Sequence, residues 1–146
     1  MGIALGRRKL TSILSGGVIN GEIVKMLIEN EKVKKVHLMG LIHQTLADKK
    51  QGLKTMEVWL VTLPPGSETP VNQYHGETVL ITLKGTGRAM VAGDSIDLFP
   101  DTTLVIPAQA PRQFANPGTG DLVVLVIRSL VRPPEKTMEE IMAGRP

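Results

Sequence analysis

The sequence predicts an all-β domain, a sandwich or barrel with small helical appendages, on three observations. Apolar and β-branched runs of strand length follow one another from residue 33 onward. Turn signals rich in Gly, Pro, Asp and Asn separate them about every 8 to 12 residues. A chain of 146 residues with 42% apolar content is one domain's worth, able to bury a sizeable core.

Residues 2–17 are a Gly-interrupted arm with no firm assignment. Asn20-Gly21-Glu22 then opens an expected short helix through Glu31, with Asn20 as N-cap and Glu22 in the first turn. Residues 36–46 (VHLMGLIHQTL) read as a strand with a bulge at Gly40. A polar turn over 47–52 leads to a strand at 55–63 (TMEVWLVTL), which Pro64-Pro65-Gly66 stops. Further strands are expected at 78–83, 88–92, 95–99, 103–106, 111–115 and 122–129. After Arg132-Pro133-Pro134 the last dozen residues have the composition of one short helix. The organisation is thus an arm with a short helix at 1–32, a barrel over 33–132, and a tail with a short helix at 133–146.

Composition excludes several kinds of chemistry. There is no cysteine, so a disulfide framework, a thiolate zinc site and a cysteine nucleophile are all ruled out. Any metal would need His, Asp or Glu. No run approaches 18 apolar residues, so no membrane partner is expected. Arg7-Arg8-Lys9 is followed by a segment too broken for a signal-peptide core, and with the lack of cysteine this predicts a cytoplasmic location. Aromatic residues are only 3% of the chain, too few for the stacking platforms that hold single-stranded nucleic acid. The net charge of +3 is unevenly placed: residues 1–60 hold 10 Lys/Arg against 5 Asp/Glu, and residues 61–146 hold 7 against 9. A basic surplus of that size near the N-terminus reads as solvation, and no nucleic-acid partner is expected.

Two segments carry the information. In the first, Gly66 is followed by Asn72, Tyr74, Thr78 and Gly85; in the second, Asp101 is followed by Pro107, Gln109, Arg112 and Asn116. Their spacing resembles the two signature motifs of the cupin superfamily: Gly, five residues, His-x-His, three or four residues, Glu, six residues, Gly; then Gly, five residues, Pro-x-Gly, two residues, His, three residues, Asn. The loop between them, residues 86–100, has 15 residues, within the family's range. The resemblance spans about residues 55–130 and implies a small RmlC-like cupin, a double-stranded β-helix of the jelly-roll type, commonly a homodimer. It also implies where a divalent metal would be held. Those four positions are Asn72, Tyr74, Thr78 and Arg112, none of them a good transition-metal ligand, and the last a permanent cation. Two family glycines are replaced as well, by Asp101 and Gln109. The resemblance gives the fold; a metal-dependent reaction does not carry over with it, and no metal ligand is assigned.

Three readings of function follow. In the first, the barrel binds a small polar or anionic molecule without the usual metal, through Asn72, Tyr74, Thr78, Gln109 and Arg112. Arg112 then either pairs with Glu57 or Glu77, a structural role, or grips a carboxylate or phosphate with its planar fork; Arg128 could add a second charge. In the second, the protein is an isomerase-, lyase- or oxygenase-like enzyme, with Tyr74 as proton donor, His75 as base and Glu77 orienting it. A divalent metal held by His75, Glu77 and either His37 or His43 is the variant of this reading. In the third, Met and Leu pack the barrel shut and it carries no site.

Overall fold

The computed structural model describes residues 17–19, 21–24 and 26–144. The expectations for residues 1–16 and for Asn20 as a cap lie outside the described residues. A short hairpin comes first: β1 (Gly17–Ile19) pairs antiparallel with β2 (Glu22–Val24). The helix expected from residue 20 to 31 is therefore not formed. Ile19 faces Glu22 in a tight hairpin, and Gly21 sits at φ 79°; Asn-Gly in the sequence is the strongest short hairpin signal. The apolar periodicity also finds no core to cover, since Met26 and Leu27 are both exposed. One 3₁₀ turn at Asn30–Lys32 is all that remains of the expected helix.

The bulged strand expected at 36–46 is two strands, β3 (Val36–Leu38) and β4 (Leu41–Ala47). Met39 and Gly40 have φ 53° and 79°, the left-handed pair that a tight primed hairpin turn requires. A 3₁₀ turn at Lys49–Gln51, capped by Asp48, leads into β5 (Met56–Leu63). Then follow β6 (Thr78–Lys84), β7 (Gly87–Val91), β8 (Asp94–Leu98), β9 (Thr102–Ile106), β10 (Arg112–Ala115) and β11 (Leu122–Ser129). Each lies within a residue or two of its expected place. The expected C-terminal helix is formed over six residues, α1 (Met138–Ala143). A reciprocal capping box between Thr137 and Glu140 starts it. Among the described residues no helix is long and apolar enough to cross a membrane.

The strands form a six-stranded antiparallel sheet in the order β3-β4-β5-β11-β6-β9, and a three-stranded one in the order β10-β7-β8. The core lies between them. Leu63, Leu80, Leu122 and Val124 come from the larger sheet and Ala89, Val91 and Leu98 from the smaller, in one buried cluster. Burying a Leu of this kind contributes about 1.5–3 kcal/mol. Between β5 and β6 the chain is tied to β10 by bridges at Glu68↔Ala115 and Asn72↔Arg112, so the segment carrying Asn72 and Tyr74 lies beside the strand carrying Arg112. Asn116 locks the far end of β10. It is 1% exposed, its amide donates to Leu63 O at 2.7 Å and Gly120 O at 2.8 Å, and its carbonyl oxygen accepts from Gly118 N at 3.0 Å.

Candidate functional site

A cavity of about 210 Å³ opens inside the barrel. Most of its wall is aliphatic, from Leu41, Val61, Leu80, Leu98, Leu122 and Val126 among others, joined by Trp59 and Phe114. The polar residues that line it, among the described residues, are few: His43, Thr69, Asn72, Tyr74, Thr78, Arg112 and Arg128. Among the described residues no methionine lines it, and the barrel is not packed shut.

Thr78 and Arg112 open β6 and β10, and both are buried, Arg112 at 6% exposure. The arginine is fixed by three hydrogen bonds. Nε donates to Ala110 O at 3.0 Å, Nη2 to Pro107 O at 3.1 Å, and Nη1 to Thr78 Oγ1 at 3.0 Å. All three acceptors are neutral. Among the described residues no carboxylate stands within ion-pair distance of this guanidinium. Burial, and then repulsion from Arg128, push its pKa below the ordinary arginine value. With five N–H groups and three bonds made, Nη1 and Nη2 each keep one donor.

The carboxylate considered for Arg112 is engaged elsewhere. Glu57 faces Arg128 across β5 and β11 and forms the ion pair with it. The Arg128 guanidinium is also held between two rings, 4.0 Å from the Trp59 centroid and 4.1 Å from that of Tyr74. Tyr74 keeps its position by donating its hydroxyl to Ser129 O at 2.7 Å. On the other side of Trp59, His43 meets the indole edge-on at a centroid distance of 4.7 Å. Burial lowers the His43 pKa; Glu57 opposes that and Arg128 reinforces it.

The remaining sequence-derived residues are placed as follows. Asn72 lines the cavity, but its side-chain oxygen accepts from Gln73 N at 2.8 Å. Gln109 stands in an exposed turn at φ 67°, outside the cavity wall; its backbone N–H donates to Tyr74 O at 2.7 Å. There it holds, in a non-glycine residue, the left-handed conformation for which the cupin motif uses Gly. His75 is half-buried with Nε2 at 3.2 Å from Leu130 O, and Glu77 is exposed; neither lines the cavity. Of the acid–base set, only Tyr74 faces the cavity. Gly76 fixes this register, because it passes so close to Ser129 O that a Cβ would lie 2.1 Å from it. His37 lies exposed on β3, and the turn at Met39-Gly40 separates it from His43, so the even spacing does not put them on one face.

A divalent metal does not fit the cupin positions. Asn72, Tyr74, Thr78 and Arg112 offer no carboxylate or imidazole, and a fixed guanidinium would repel the ion. Nor do three His, Asp or Glu side chains come together at any other place among the described residues. Of two further residues that shape the cavity, Trp59 was not readable as a site residue, and His43 was read only as a possible metal ligand beside His75 and Glu77. The only available signal for Trp59 was that the chain's one Trp falls on a strand of the barrel.

The family model described as auxin binding protein matches residues 15–140. Auxin-binding protein 1 of Arabidopsis thaliana is 41% identical over 107 residues, which are 66% of this chain and 53% of that protein. The chain spans about half the length of the curated relatives it matches. Among solved structures, a polyketide cyclase from Streptomyces resistomycificus superposes with a TM-score of 0.67 at 19% identity, covering 77% of this chain and 84% of that one. An RmlC-like cupin from Shewanella frigidimarina superposes with a TM-score of 0.65 at 14% identity, covering 81% and 96%. At those identities the structures speak for the fold, which is the cupin jelly roll, and the family model speaks for the lineage: the chain belongs to the auxin-binding protein family.

Proposed function

We propose that the barrel binds a small organic acid with an apolar body, of the auxin type, and that Arg112 holds its carboxylate in place of a metal ion. The observation that carries this is the state of Arg112: buried, facing an apolar cavity, hydrogen-bonded only to neutral oxygens. A buried cation without a counter-charge is costly, and a carboxylate ligand supplies the charge and accepts the two remaining donors. The aliphatic and aromatic wall suits the rest of such a molecule, at about 25 cal/mol per Å² of apolar surface removed from water. The name borne by the family's curated members points to the same chemistry, an aromatic ring carrying a short carboxylate arm.

Titration calorimetry with indole-3-acetate and its neutral amide, with and without a chelator, tests this. The acid is expected to bind equally well in the presence of chelator, the amide at least about tenfold more weakly, and Arg112→Gln to lose the preference for the acid. Binding abolished by the chelator, or an amide that binds as tightly as the acid, would overturn it. The homodimer expected on family grounds is kept as part of the proposal; a monomer mass by equilibrium sedimentation removes it.

A further inference from the structure

The cavity holds two guanidinium groups and only one of them is neutralised. Arg112 and Arg128 flank the same residue: Arg112 donates to the Thr78 hydroxyl, and Arg128 is the cross-strand neighbour of Thr78 in the β6–β11 pair. On its other side Arg128 faces Glu57 and is paired with it. Trp59 and Tyr74 clamp its two faces, so the guanidinium is fixed where it lines the cavity and the charge it presents there depends on its pairing with Glu57. His43 is the remaining basic group in the wall, and its lowered pKa leaves it neutral above pH 7. Glu77 is exposed and does not line the cavity. The site therefore presents one uncompensated positive charge in apolar surroundings.

We propose that Glu57 is the specificity-determining residue of this site: by holding Arg128 neutralised between Trp59 and Tyr74, it restricts the cavity to monoanions and excludes dianions such as dicarboxylates and phosphate monoesters. This rests on the Arg112 reading above and extends it to the charge of the ligand. A dianion in the cavity brings one negative charge that no fixed cation balances, since the Arg128 charge is already met by Glu57. In a cavity walled by aliphatic side chains that imbalance is weakly screened. Removing the Glu57 charge frees Arg128 to act as a second anchor beside Arg112, and the preferred ligand charge shifts by one.

The test uses benzylmalonate and its monoamide, which share one shape and differ by one charge, titrated calorimetrically at pH 8. The wild-type protein is expected to bind the monoamide at least about tenfold more tightly than benzylmalonate, equivalent to about 1.4 kcal/mol. Glu57→Gln is expected to bring that ratio to one or reverse it. Arg128→Gln leaves Arg112 opposed by a free Glu57 carboxylate, and is expected to weaken the monoamide at least about tenfold. The double variant E57Q/R128Q restores a single cation and is expected to restore the wild-type preference, which a merely structural role for the pair would not do. A Glu57→Gln protein that melts like the wild type and keeps its ratio overturns the proposal, as does an Arg128→Gln protein with unchanged affinity for the monoamide. A wild-type protein that takes neither probe, or an Arg112→Gln protein that takes the monoamide unchanged, overturns the Arg112 reading itself and this inference with it.

Discussion

Arg112 Nη1 donates to Thr78 Oγ1 at 3.0 Å, and these two residues stand where a cupin metal site would have its last histidine and its glutamate. A cation and a neutral acceptor have replaced a ligand pair. The hydroxyl fixes the guanidinium without cancelling its charge. Thr78→Glu returns a carboxylate to that position and gives Arg112 an internal partner. We expect indole-3-acetate binding to fall at least about tenfold in that variant, by titration calorimetry. Thr78→Val removes the acceptor instead and leaves a buried N–H unpaired, which is expected to cost about 1–3 kcal/mol in urea denaturation.

Asn116 serves three backbone groups at once, on β5, on the turn after β10 and at Gly118. Asn116→Ala strands all three in a place with almost no solvent access. The expected loss is at least about 2 kcal/mol of unfolding free energy, measured by denaturant titration with an unchanged m value. Asn116→Asp should be no better, since two of the three contacts need a donor and a carboxylate has none.

The scaffold was legible for a plain reason. Gly66, Gly85 and Pro107 act through backbone conformation and Asn116 through an amide that holds its neighbouring backbone, and their types and spacing are written in the sequence. The N-terminal helix was misread because Ile23, Met26 and Leu27 fall at helical spacing whether or not a core waits for them; the Asn-Gly pair beside them was the better signal. That Asn72, Tyr74, Thr78 and Arg112 stand at the motif's ligand positions could be read from the spacing alone. What sequence could not supply was the partner of each charge. Glu57 and Glu77 were both candidates to pair with Arg112, and only the register places Glu57 opposite Arg128 instead. The same limit applies to His75 and Glu77, whose even spacing gives them a shared side but not which side.

Gly76 and Gly85 leave no room for a side chain. A Cβ on either would lie 2.1 Å from a backbone oxygen, that of Ser129 for Gly76 and that of Asp121 for Gly85. Gly85 also sits at φ 79°. Gly76→Ala pushes β11 away from the segment that carries Tyr74 and is expected to cost about 1–3 kcal/mol. Because that shift also loosens the Tyr74 contact to Ser129, ligand affinity should fall with stability, whereas Gly85→Ala should lower stability alone. Thermal melts and calorimetry on the two variants separate the effects.

His43 makes stability depend on pH. Burial lowers its pKa in the folded protein, so below the ordinary histidine range the unfolded chain binds the proton more readily. Its contribution is fully present at pH above the unfolded value of about 6.5 and is lost as pH falls toward the folded pKa. His43→Gln should flatten the stability-versus-pH curve as pH falls below the ordinary histidine value of about 6.5, measured as urea midpoints. A curve of unchanged slope would assign the dependence to other groups.

The scarcity of rings has a practical consequence. The chain contains one tryptophan, and that residue is in the cavity wall with a guanidinium stacked on its face and an imidazole at its edge. Nearly all the ultraviolet emission of this protein therefore originates at the site, from an indole whose surroundings change when the cavity fills or when Arg128 moves. Occupancy can be followed by intrinsic fluorescence, with no label introduced and no second tryptophan to dilute the signal.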